Sequence, residues 1–201
     1  MKTPIEFYFD FSSPYAYFGA LRIDELAAKY DRQVCWHPIL LGVIFKATES
    51  KPLVSLPMKG PYSRHDLDRT ARLHQIEFKM PTVFPIATQQ AARAMLWVEA
   101  KHGKDAAKQF AIKLFQALFV HDQNISQVDV ILKLASECGL DSAQVAEGMV
   151  SEDIKNQLKT EVDAALAKGI FGAPFVIVDG EPFWGFDRFY QIEELLKHGK
   201  I

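Results

Sequence analysis

The stretch FDFSSPYAYFG, Phe9 to Gly19, decides how this chain is read. It follows directly on IEFYF, whose β-branched and aromatic residues predict a buried strand over 5–10. Ser13 is a good N-cap, and Pro14 suits the first position of a helix. Beyond it Ala16, Ala20, Ile23, Ala27 and Tyr30 share one helical stripe, which predicts a helix over 14–30. Gln33 to His37 reads as a second strand, closed by Pro38. A strand, helix and strand of this length predict a βαβ unit with parallel pairing. The strand–Ser–Pro–helix junction serves as plain capping, and it is also where a redox protein would keep a cysteine.

Working outward, the middle of the chain changes character. Residues 43–62 read as irregular, with Pro52, Pro57, Gly60 and Pro61. Ser63 and Asp66 resemble a capping box that opens a helix reaching about His74. After the loop MPTVFP (80–85), helical patterns run from about Thr88 to His102, from Asp105 to Val120, and from Ser126 to a stop at Gly139. Asp141 and Ser151 read as further N-caps. GAPFVIVDG then gives a proline, an apolar strand and an Asp-Gly turn, with EPFWGF as the return strand of a hairpin. Asp187 reads as the cap of a last helix, from about Arg188 to His198.

The 201 residues fit one domain, or one domain with a large insertion. With 49% hydrophobic and 24% charged residues, the chain has the makings of an ordinary core. A net charge of −2 offers no nucleic-acid surface and no polybasic membrane patch. Pro4, Glu6 and Asp10 interrupt any apolar leader, and no run is long enough to predict a membrane span. Cys35 and Cys138 lie too far apart in sequence to suggest a disulfide framework or a metal pair, so both read as structural and a reducing cytoplasm is the simplest home. The six histidines show no zinc spacing, and neither a P-loop nor a dinucleotide glycine fingerprint is present. No metal is expected.

The two ends of the chain carry the chemistry. At the first helix start Ser13, Pro14, Tyr15 and Ala16 stand where a Cys-x-x-Cys would serve a redox protein. A hydroxyl cannot exchange disulfides, but Ser13 Oγ–H can donate to a thiolate brought from outside and favour its ionised form. Ser13 keeps its own proton in this role. At the other end Pro174 precedes a strand. If the Ala173–Pro174 bond is cis, the Ala173 N–H and C=O turn outward and can pair with a peptide ligand as an edge strand would. An ordinary strand-starting proline explains the same residues. Asp187 could accept from a ligand's α-amino group, and capping would coexist with that role.

FDFSSPYAYFG, IFKAT, PMKGPYSRHDLDR, FGAPFVIVDG and FWGFDRF together resemble, in the same order and over nearly the whole chain, the 2-hydroxychromene-2-carboxylate isomerases. These belong with the kappa-class glutathione transferases in the DsbA-like thioredoxin superfamily. The resemblance implies an α/β, thioredoxin-like domain (βαβ … αββα) from residues 1–42 and 151–201, interrupted by a helical insertion over 43–150. It implies glutathione as cofactor, a homodimer, and an isomerase of aromatic-compound degradation acting on a small aromatic enone acid. It places Ser13 against the glutathione sulfur as the catalytic residue and Ala173 against its backbone. Trp184, Gly185, Phe186 and Asp187 would hold the γ-glutamyl end, and Lys46 and Lys59 would face glutathione or the substrate carboxylate. Tyr62, Asp66 and Arg69 also fit the family pattern and are read as structural. The chain departs from its relatives at Glu49-Ser50, where Gly-Asn is common, and at Ala87, where Asn is frequent. Both departures leave substrate identity more open than glutathione binding.

Three other activities compete with this reading. A kappa-like transferase or peroxidase would use the same site with a different outcome. DsbA-like disulfide chemistry lacks its two sulfurs, and a non-catalytic thioredoxin-like binding protein would need no chemistry at all.

Overall fold

The computed structural model describes residues 2–201. Strand β1 (Ile5–Phe9) buries Ile5, Phe7, Tyr8 and Phe9, so side chains on both faces of the strand are covered. It pairs in parallel with β2 (Val34–Pro38), Phe7 opposite Trp36, as the βαβ reading predicts. On its other edge it runs antiparallel to β3 (Phe175–Val178), which turns back into β4 (Glu181–Trp184). The sheet order is therefore β2-β1-β3-β4, and the two ends of the chain meet at its centre. The hairpin turns on Asp179 and Gly180, both at positive φ, as the Asp-Gly pair predicts. This is the order of strands that the resemblance implies, a βαβ unit joined to a C-terminal hairpin.

The single helix expected over 14–30 is two helices, α1 (Pro14–Ala20) and α2 (Ile23–Ala28). Arg22 N–H reaches back to Gly19 C=O, tightening the last turn, and the Arg22 guanidinium donates to His74 C=O. Ala16, Ala20, Ile23 and Ala27 stay buried through the break, so the apolar stripe is right although the helix is not continuous. Gly19 lets α1 sit tight on the sheet: a Cβ there would lie 3.1 Å from Phe189 and 3.3 Å from Phe7.

Six helices follow β2: α3 (Leu41–Ala47), α4 (Lys59–Leu73), α5 (Gln89–His102), α6 (Lys104–Phe119), α7 (Val128–Glu137) and α8 (Ser142–Gly148). Helix α9 (Glu152–Ala167) leads back to the sheet, and α10 (Phe189–His198) closes the chain. Asp141 and Ser151 cap α8 and α9 through their side chains, as the sequence predicts. Residues 43–62 are more ordered than expected, holding most of α3 and a 3-10 turn at Leu53–Ser55. The helical segment joins the sheet's core through aromatic contacts: Phe115 packs on Phe9 and Phe11, and Phe119 stacks on Tyr17. Cys35 is half-buried on β2 and Cys138 is exposed at the end of α7.

Candidate active site

The turn after β1 begins with Ser13 N–H donating to Asp10 C=O at 2.9 Å. Ser13 then caps α1: its Oγ accepts from Ala16 N–H at 3.2 Å. Its hydroxyl proton goes to Ala173 C=O, 2.8 Å away and 160 residues later in the chain. Capping and a link across the sheet thus coexist in one oxygen, on a residue that is only 5% exposed. The Ala173–Pro174 bond is cis. The expectation that both Ala173 backbone groups turn outward needs correction, because the carbonyl is satisfied inside by Ser13. Among the described residues, Ala173 N–H donates to no protein acceptor.

The end of the hairpin stands beside this pair. Gly185 N–H donates to Pro174 C=O at 3.0 Å, and its φ of 106° turns the chain where a side chain would be strained. Trp184 is half-exposed, lying edge-on to Phe171 with centroids 5.0 Å apart. It fits over a bare Cα: a Cβ on Gly172 would come within 2.4 Å of the indole Nε1. Phe186 is buried, packed on Phe18, His74 and Phe189, so its side chain belongs to the core. Asp187 does not cap α10. A 3-10 turn, Phe186–Arg188, intervenes, and the exposed Asp187 carboxylate pairs with the Arg188 guanidinium at 2.7 Å.

These segments line one cavity of about 1410 Å3. Its far walls are α3, the stretch from Glu49 to Leu56, one face of α4, and the loop 84–89, which contains the cis Phe84–Pro85 bond. Leu41, Val43, Phe45, Leu53, Phe84 and Ile86 make these walls largely apolar. Ser13, Ala173, Trp184, Gly185, Phe186 and Asp187 are therefore brought together. Lys46 and Lys59 are exposed and lie outside the lining, whereas Lys51 is on it. Ser50 and Ala87, the two departures from the resemblance, are both on the wall. Neither cysteine reaches it.

Two groups on this wall were not singled out from sequence as site residues. Tyr15 donates its hydroxyl to Asp66 of α4 at 2.6 Å, and Arg69 pairs with the same carboxylate and donates to Tyr62. Burial, and then the Asp66 carboxylate, push the Tyr15 phenol well above its ordinary value. It stays a donor at any physiological pH. The Ser63–Asp66 capping box is thus corrected. Helix α4 starts four residues earlier at Lys59, Pro61 falls harmlessly in its first turn, and Ser63 donates to Gly60 C=O. Asp66 is freed to reach across to Tyr15.

The second group is Asp10, 3% exposed and on the cavity wall. Its Oδ1 accepts from Ser12 N–H at 2.7 Å and from the Thr88 hydroxyl at 2.8 Å, and its Oδ2 accepts from Leu41 N–H at 2.6 Å. Burial pushes its carboxyl up, against the pull of those three donors. The sequence signal was available: an aspartate set between two phenylalanines in FDF. Its partners, from three distant segments, were not.

The family model described as a DSBA-like thioredoxin domain matches residues 4–197. The chain is 25% identical to a 2-hydroxychromene-2-carboxylate isomerase of Sphingobium xenophagum, covering 98% of this chain and 99% of that protein. It is 29% identical to glutathione S-transferase kappa 1 of Homo sapiens, covering 98% and 91%. A solved 2-hydroxychromene-2-carboxylate isomerase superposes with a TM-score of 0.84 at 23% identity, over 97% of this chain and 95% of that one.

Proposed function

The chain belongs to the DsbA-like thioredoxin domain family, and we propose that within it this protein is a glutathione-dependent isomerase of the 2-hydroxychromene-2-carboxylate type. The observation that carries this reading is Ser13. Its hydroxyl sits where a thiol-exchanging relative needs sulfur, on the wall of a cavity with room for a tripeptide and a second molecule. The residues present fit glutathione. Ala173 N–H is a free donor at the cavity edge, the Asp187 carboxylate is exposed to receive an α-amino group, and Gly172 and Trp184 shape the space between. Bound as its thiolate, glutathione would supply a reversible nucleophile for a conjugated carbon of an aromatic enone acid, the chemistry by which a double bond can become single long enough for rotation or ring closure.

The chain's own part is binding and electrostatics. Ser13 swings its O–H from Ala173 C=O to the sulfur and stabilises the negative charge there. The Ala16 N–H bond to the same Oγ keeps the oxygen in place during that exchange. The apolar walls exclude water from the reacting carbons. Lys51, Lys46 or Lys59 holds the substrate carboxylate, with Lys51 favoured by its place on the wall. The proposal includes a cytoplasmic homodimer working in aromatic-compound degradation.

The test is isomerisation of 2-hydroxychromene-2-carboxylate with and without glutathione, for wild type and Ser13→Ala. The expected outcome is dependence on glutathione, constant total free glutathione, and a loss of about a hundredfold or more in kcat for Ser13→Ala. Undiminished activity without glutathione would overturn the reading. A falling free-thiol pool would point instead to a kappa-like transferase or peroxidase, for which relatedness to the human kappa enzyme is the supporting observation.

A further inference from the structure

Asp10 is an unusual group to find in a site meant for an anion. It is a buried carboxylate on the cavity wall, three residues before Ser13, and the two are tied by the bond from Ser13 N–H to Asp10 C=O. The groups that face its carboxylate from the active turn, from α3 and from the start of α5 are the Ser12 N–H, the Leu41 N–H and the Thr88 hydroxyl. All three are neutral donors, and among the described residues no cationic side chain pairs with it. The charged groups of the same cavity, Glu49, Lys51, Asp66, Asp187 and Arg188, belong to other stretches of its wall. The nest is specific, since Thr88 gives its hydroxyl to Asp10 instead of capping its own helix.

A second negative charge entering this low-dielectric wall raises the affinity of the first for a proton. A carboxylate held by neutral donors has no countercharge to resist that. One lone pair remains on Oδ2 for a proton while Leu41 N–H keeps the other. We propose that Asp10 takes up a proton when an anionic sulfur settles in front of Ser13, so that this carboxylate stores the proton a glutathione thiol gives up on binding and returns it when the thiol leaves. The S–H bond breaks with its electron pair kept by sulfur, and an O–H bond forms on the Asp10 carboxylate. The proton stays within the site, whose net charge is the same as when the neutral thiol arrives. Burial already pushes the Asp10 carboxyl in the direction this requires. The inference rests on the reading that glutathione binds as a thiolate.

The experiment is titration calorimetry with glutathione near pH 7 in two buffers of different ionisation heat, run beside ultraviolet detection of the thiolate. For wild type the thiolate signal is expected with well under one proton released to buffer, and for Asp10→Asn with about one released per glutathione bound. Should Asp10→Asn fail to fold, wild type alone decides by infrared difference spectroscopy. A carboxylic-acid C=O band should appear with glutathione and be absent with S-methylglutathione, which has no thiol proton. Thiolate formation in wild type with about one proton released overturns this inference and leaves the glutathione reading standing. Failure to bind glutathione, or binding without a thiolate signal, overturns both.

Discussion

Ser13 Oγ accepts from Ala16 N–H and donates to Ala173 C=O, so a single methylene-borne oxygen serves the helix start and the link between the chain's two ends. Ser13→Ala removes an N-cap and leaves a carbonyl unpaired. Urea unfolding should show a loss of about 1–3 kcal/mol with the fold retained. An unchanged midpoint would mean that neither bond is held in solution. Tyr15→Phe takes the phenolic donor from Asp66 while Arg69 stays in place. It should cost about 1–2 kcal/mol, and Asp66→Asn, which keeps an acceptor, should cost less. Ser13 is legible as the cap of α1, because Ser-Pro after a strand is a local signal. The partners of Tyr15 and Asp10 were not, because a hydrogen bond between segments 31, 51 or 78 residues apart leaves no local pattern.

At the scale of elements, the strands and the caps at Ser13, Asp141 and Ser151 are legible, since β-branched runs, Asp-Gly and Ser or Asp before a helix are local signals, whereas Ser63 and Asp187 carry the same signal and cap no helix. The break between α1 and α2 was not, because the apolar stripe survives it. Helix α3 was missed because its start has no capping side chain of its own; Asp10 receives the Leu41 N–H instead. An element-level staple joins β1, β2 and α9. His37 lies between Glu6 at 2.5 Å and Glu161 at 2.8 Å, stacked on Tyr8, whose hydroxyl accepts from Lys168. Two carboxylates facing one ring favour the imidazolium, in which both nitrogens donate. Burial alone would lower its pKa, but the bond to Glu161 and the charges of Glu161 and Glu6 outweigh it and raise it above 6.5. A raised pKa means stability fully present below the unfolded value of about 6.5 and lost as pH climbs through the folded value. Unfolding free energy measured from pH 6 upward should therefore fall, and His37→Gln should flatten that slope. An equal slope in the variant would contradict the staple.

For the whole molecule, the order of elements is legible in the residues, the meeting of the two ends in one sheet in the resemblance, and the extent of the cavity in neither. Only the resemblance points to α3 and the 84–89 loop as its walls, through IFKAT and Ala87. Among the described residues no helix is long and apolar enough to cross a membrane. A ligand that binds only the folded chain stabilises all of it. Glutathione at about a hundred times its dissociation constant should add about 2.7 kcal/mol and raise Tm by ~5–10 °C. Glutathione disulfide, with no thiolate to offer Ser13, should do less.

The central claim is that Ser13 holds a borrowed sulfur, and a crystal structure with glutathione bound tests it most directly. The account predicts the sulfur within hydrogen-bond reach of Ser13 Oγ, with Ala173 N–H on the tripeptide backbone and Asp187 at its α-amino group. Glutathione bound with its sulfur elsewhere, while Ser13 still donates to Ala173 C=O, would contradict it.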